Sequence, residues 1–123
     1  MPIQIYNKMT HIETIAQAML DKKAQKVISL DLKSVGSNIT DFFVICNADS
    51  HNQVTAIADN IEKEMYEQHN IKVGRQQGRE NSFWIILDYF DIVVHIFQTE
   101  YRDFYRLEEL WADAELTEYN DEN

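Results

Sequence analysis

The chain has 123 residues, 45% of them hydrophobic, with three glycines and one proline. That is long enough for one domain to bury most of its apolar surface, and it leaves no flexible linker. Eleven Lys and Arg stand against 21 Asp and Glu, a formal net charge of −10, which argues against binding bare phosphate backbones, where affinity comes from cations displacing counterions.

Several classes are set aside at once. No apolar run approaches the roughly 20 residues that span a bilayer, and MPIQIYNKMTHIET lacks the basic start and apolar region of a signal peptide. Cys46 is the only cysteine, so no intrachain disulfide forms and a reducing, cytoplasmic location is expected. Cys46 lies in the apolar run Phe42–Cys46 and reads as a small buried hydrophobe. From Glu108 onward there are acids and no Lys or Arg. Such a balance serves solubility or steers the chain toward a basic partner.

In chain order, residues up to about Met9 read as an irregular lead-in. Thr10-His11-Ile12-Glu13 has the form of a capping box, and Ile12, Ile15, Ala16 and Met19 then make one apolar stripe on a helix ending near Lys23. Val27–Leu32 reads as a strand, Ser34–Asn38 as a turn carrying Gly36, and Asp41–Cys46 as a second strand, hairpin-paired with the first. Ser50-His51-Asn52-Gln53 is another capping box. The helix after it carries Val54, Ile57, Ala58, Ile61 and Met65 on one face, out to about His69. Ile71–Gly74 is a short third strand, completing a β-α-β crossover expected to be right-handed. The polar loop Gln76–Asn81 follows.

Phe83–Leu87 and Ile92–Phe97 are two apolar runs around Asp88-Tyr89-Phe90-Asp91, a β-hairpin whose strands should be covered on both faces. A two-residue loop at Tyr89-Phe90 would set Trp84 opposite His95, Ile86 opposite Val93 and Asp88 opposite Asp91, all on one face. The other face would carry Phe83, Ile85, Leu87, Ile92, Val94 and Ile96, an apolar core. Phe90 sits where a tight turn prefers Gly, which leaves a shifted register open. Thr99 is expected to cap a last helix offering Phe104, Leu107, Leu110 and Trp111 for packing, with more aromatic surface than one packing face needs. Past Glu115 an acidic, frayed tail is expected. The fold class is therefore α/β: a single domain over residues 1–116 with a mixed sheet of about five strands flanked by helices, and a tail over 117–123.

Signals for catalysis are weak. His11, His51, His69 and His95 are scattered, with none at i, i+4 from another, so a zinc site is not indicated. Phosphate-loop and nucleophile-elbow motifs are absent. Asp88 and Asp91 flank a turn, where aspartate is common for turn reasons. No catalytic, cofactor-binding or metal-ligating residue is nominated, and the chain is expected not to be an enzyme. His95 reads as a hydrogen-bonded structural histidine or a recognition residue, and Trp84 as core or interface anchor.

Trp84-Ile85-Ile86-Leu87-Asp88-Tyr89, Asp91-Ile92-Val93-Val94-His95-Ile96-Phe97 and Arg102-Asp103-Phe104-Tyr105-Arg106-Leu107-Glu108-Glu109-Leu110-Trp111 together resemble the ribosomal silencing factor family (RsfS, also called Iojap or YbeB). Asn38–Ile45 and Ser50–Asp59 resemble it too. The chain departs from the family at Ala48 and Phe90, where Gly is usual, and at Gln77, where Glu is usual.

The resemblance implies a nucleotidyltransferase-like fold without catalytic carboxylates and without a cofactor. It also implies a factor that binds the large ribosomal subunit through its L-fourteen-type protein. There it would block joining of the small subunit and repress translation when nutrients are scarce. Family members are often homodimeric when free, and organellar relatives act in large-subunit assembly. Neither nucleic-acid specificity nor a membrane is implied. The partner surface expected on this basis comprises Trp84, Asp88, Tyr89 and His95 of the hairpin with Tyr105, Glu108 and Trp111 of the last helix. Trp84 would be the anchor, and Asp88 and Glu108 would pair with partner cations. A degenerate nucleotidyltransferase-like nucleotide-binding protein, on fold analogy alone, and a large-subunit assembly factor are the alternatives.

Overall fold

The computed structural model describes residues 8–120, and the architecture follows from two apolar helix stripes and one sheet. Ser50 Oγ accepts a hydrogen bond from Gln53 N at 3.1 Å, so half of the expected capping box forms and starts α2 (His51–His69). The Gln53 side chain does not return to Ser50; it donates to the carbonyls of Lys22 and Lys23 beyond α1 (Lys8–Asp21). Val54, Ile57, Ala58, Ile61 and Met65 are all buried, as the periodicity requires. Each of the larger ones contributes roughly 1.5–3 kcal/mol on full burial, so packing rather than propensity holds this helix. Asn70, left-handed at φ 59°, ends it. Thr10, expected as an N-cap, lies inside α1, which begins earlier, at Lys8. The lead-in expected up to Met9 is helical over Lys8 and Met9, and the rest of it lies outside the described residues.

Six strands form one mixed sheet among the described residues: β1 (Gln25–Asp31), β2 (Phe42–Ala48), β3 (Arg75–Gln77), β4 (Trp84–Asp88), β5 (Ile92–Gln98) and β6 (Glu115–Tyr119). Their order across it is β3-β4-β5-β2-β1-β6. β1 pairs antiparallel with β2, as expected of neighbours in sequence. β2 runs parallel to β5, and β4 antiparallel to β5. The third strand is Arg75–Gln77 rather than Ile71–Gly74; it borders β4, so α2 carries the chain past two strands to the far edge.

The hairpin register differs from the expected one. Trp84 faces Phe97, Ile86 faces His95 and Asp88 faces Val93. Phe90 adopts φ +74°, so Tyr89 N can donate to Ile92 O and Asp91 N to Tyr89 O, both at 2.9 Å. The tight loop is therefore Phe90-Asp91, one residue later than expected. The shift in pairing is an even one, so the division into faces survives.

Ile85, Leu87, Ile92, Val94 and Ile96 join the stripes of α1 and α2 in the main core. Phe83 does not; it is 42% exposed and stacks on Tyr101 with centroids 4.7 Å apart. Nor is β4 covered on both faces, since Trp84, Ile86 and Asp88 are only half-buried. The expected tail contains β6, which pairs with β1 from Val27↔Tyr119 to Asp31↔Glu115. The Tyr119 hydroxyl lies 3.0 Å from Ser29 Oγ. Residues 121–123 of that tail lie outside the described residues.

Candidate functional site: an aromatic face on the open side of the sheet

The side of β4, β5, β2 and β1 away from α1 and α2 is covered only in part, by a second apolar cluster. Ile28, Leu30, Leu32, Phe43, Ile45, Phe97 and Ala114 form it, with Trp84, Tyr101, Leu107 and Trp111 packed against it. The last two come from α4 (Leu107–Leu110) and the residue after it, and Tyr101 from α3 (Thr99–Tyr105). The single last helix expected from sequence is thus two short ones. Arg106 separates them at φ +51°. Thr99 is the first residue of α3 and not its cap; its hydroxyl donates to Asp49 Oδ1 at 2.7 Å.

α3 presents aromatic rings outward, and α4 presents Leu110. Tyr105 lies 4.8 Å from Trp84 between ring centroids, and Phe104 meets Tyr105 edge-on at 5.1 Å. Phe104 is 76% exposed, Leu110 74% and Tyr105 45%. With the Phe83–Tyr101 stack they line one rim of the sheet. The exposed acids Glu100, Asp103 and Glu109 lie on the same two helices. Sequence reasoning gave Phe104 and Leu110 a packing role and Phe83 a core role. The excess of aromatic residues on this segment was the signal that some of them are displayed.

Of the residues nominated from sequence, Trp84 and Tyr105 are brought together, and Trp111 packs on the same apolar cluster as Trp84. Trp84 is half-buried, stacked on Phe97 at 4.8 Å, and its indole N–H donates to His95 Nδ1 at 3.1 Å. Trp111 packs edge-on against Phe43 at 6.1 Å. His95 lies beneath, 6% exposed, edge-on to Phe43 at 4.5 Å. Burial pushes its pKa from 6.5 down to about 4. It is neutral at pH 7, with the proton on Nε2 because Nδ1 is the acceptor. It supports Trp84 from below and is not itself displayed.

The other three stand apart. Tyr89 lies in the core under α2, 8% exposed, because the one-residue displacement of the loop leaves it paired beside Ile92. Burial raises its pKa, and among the described residues its hydroxyl has no hydrogen-bond partner. Asp88 ends β4, about 13 Å along the strand from Trp84, and its carboxylate accepts from Phe90 N at 2.8 Å. Glu108 turns inward: its Oε2 accepts from Arg102 Nε at 3.1 Å and Nη2 at 3.0 Å. A cleft of about 560 Å³ beside this pair is lined by Lys26, Arg102, Asp103, Arg106, Glu108 and Glu109.

Among the described residues no group of three or more His, Cys, Asp or Glu is arranged to hold a metal ion. No helix there is long and apolar enough to cross a membrane. What remains is an α/β domain with one sheet face sealed by two long helices and the other bearing a partly displayed aromatic surface. The chain belongs to the ribosomal silencing factor family: the family model described as ribosomal silencing factor during starvation matches residues 6–123.

A ribosomal silencing factor of Halalkalibacterium halodurans is 41% identical over 107 residues, spanning 87% of this chain and 90% of that one. The Bacillus subtilis factor is 36% identical over 112 residues, 91% and 93% of the two chains. A crystal structure from Chromobacterium violaceum matches with a TM-score of 0.82 at 26% identity, covering 87% of this chain and 88% of that one.

Proposed function

We propose that the chain binds the large ribosomal subunit through the α3–α4 rim, with Phe104, Tyr105, Leu110 and the edge of Trp84 as contacts. Bound there, it keeps the small subunit from joining and lowers translation when nutrients are scarce, in the cytoplasm. The L-fourteen-type ribosomal protein is the partner this reading favours. The observation that carries it is the exposed pair of rings Phe104 and Tyr105 on α3, with exposed Leu110 on α4, in a chain with net charge −10. Desolvated aromatic anchors supply affinity, and acidic surroundings speed encounter with a basic partner.

Asp88, Tyr89 and His95 are not part of the surface proposed, since the first sits at the far end of β4 and the others are buried. Co-sedimentation with purified large subunits tests the reading. The double variant Phe104→Ala/Tyr105→Ala should bind about 30-fold more weakly while keeping the wild-type unfolding midpoint to within a few degrees. Undiminished binding would remove this rim from the interface.

A further inference from the structure

The two helices that carry the displayed Phe104, Tyr105 and Leu110 are poorly equipped to hold themselves in place. α3 has seven residues and α4 four, well short of the length at which helices persist alone. Neither contributes a fully buried apolar side chain; the one buried residue in either is Arg102, 5% exposed. A buried guanidinium is tolerated only where its donors are met, and here they are met from three directions.

Nη1 donates to the Lys26 carbonyl at 2.6 Å and to Asn47 Oδ1 at 2.9 Å, while Nε and Nη2 both reach Glu108 Oε2. Lys26 sits in the irregular part of β1, at φ +51°, where the register with β2 breaks between Gln25 and Ile28. That break turns a carbonyl toward Arg102 instead of into the ladder. Asn47 is 1% exposed, and its amide nitrogen donates to Gln25 Oε1 and Thr99 Oγ1. The acceptor is thereby fixed before Arg102 reaches it.

We infer that Arg102 is a positioning residue for partner recognition. Its fork joins the sheet at Lys26 and Asn47 to α4 at Glu108, and so sets the angle at which α3 and α4 present Phe104, Tyr105 and Leu110. The inference rests on the reading of that rim as the large-subunit contact. It also gives Glu108 a different task from pairing with partner cations: it closes the clamp from inside.

Glu108 is only half-buried, so Glu108→Ala opens the clamp on its α4 side, leaving Arg102 Nε and Nη2 without that acceptor while Lys26 and Asn47 still hold Nη1. Two measurements are made on Glu108→Ala and Glu108→Gln: amide hydrogen exchange on the free protein, and co-sedimentation with purified large subunits. In Glu108→Ala, amides of residues 99–111 should exchange about tenfold faster, with those of β2 and β5 unchanged, and subunit binding should fall about tenfold. Glu108→Gln keeps an acceptor oxygen for the fork and should recover most of both effects.

Weakened binding with unchanged exchange would overturn the inference, because Glu108 would then act on the partner directly. Faster exchange with undiminished binding would overturn it too, since the geometry of the helices would not matter to recognition. Wild-type protein that fails to co-sediment would instead overturn the recognition reading on which the positioning role depends, and the exchange data would still show whether the clamp holds the helices.

Discussion

His95 makes the stability of this domain depend on pH in a calculable way. In the folded chain its pKa is about 4, lowered from 6.5 by burial, whereas in the unfolded chain it returns to the ordinary value. Between those limits the unfolded state binds the proton and the native state does not, so stability falls as pH is lowered. The contribution is complete above pH 6.5, lost progressively on acidification, and exhausted below pH 4, where it totals about 3 kcal/mol. By pH 5 the loss is already about 2 kcal/mol.

The assay is urea unfolding at pH 7.5, 6, 5.5 and 5, followed by tryptophan fluorescence, in wild type and in His95→Gln. The substitution keeps an acceptor for the Trp84 indole and removes the titration. His11, whose pKa is lowered by burial and then by neighbouring His69, loses stability in the same direction, but equally in both proteins, so it cancels. The account expects wild type to lose about 2 kcal/mol more than His95→Gln between pH 7.5 and 5. Parallel pH dependences, or an NMR titration of His95 with a midpoint near 6.5, would refute the reasoning.

Other consequences follow from the backbone. At Gly78, φ is +91° and an added Cβ would lie 2.0 Å from the Trp84 carbonyl oxygen. Gly78→Ala should therefore cost about 2 kcal/mol or more in urea unfolding and disturb β4 beneath Trp84. Phe90 is 71% exposed at φ +74°, so Phe90→Gly should raise stability by about 0.5–1 kcal/mol through relief of the left-handed conformation. A lower midpoint would mean that its ring contact with Gly74 outweighs that strain. Cys46 is fully buried with its thiol pushed up to about 12. It should resist an aromatic disulfide reagent in native protein at pH 8 and react at once in urea.

The two long helices and the division of the sheet into faces were legible in the sequence because both depend on periodicity. Val54, Ile57, Ala58, Ile61 and Met65 fall on one side of α2 whatever surrounds it. Ile85, Leu87, Ile92, Val94 and Ile96 stay together through any even shift of register. The register itself was not legible, since it rests on Phe90 occupying a conformation that its side chain disfavours. β6 was hidden for a related reason: Glu115–Tyr119 is acidic and exposed, and it becomes a strand through pairing with β1.

The candidate site was legible in part. An excess of aromatic residues marked the last segment as partly displayed, but not its division at Arg106 into two short helices. Trp84 and Tyr105 do meet, and Trp111 packs on the same cluster as Trp84, while the hydrogen bond from Trp84 makes His95 the structural histidine, one of the two readings the sequence left open. Arg102 gave no sign of being buried, because two of its partners, Lys26 and Asn47, lie 76 and 55 residues away in the chain.

The central claim, that a displayed aromatic rim on this fold keeps ribosomal subunits apart, is tested most directly by subunit joining in sucrose gradients. Purified large and small subunits are mixed with a molar excess of the protein or of Phe104→Ala/Tyr105→Ala. The account predicts that wild-type protein moves with the large subunit and sharply reduces the joined peak, and that the double variant restores it. A joined peak unchanged by excess wild-type protein would contradict the account.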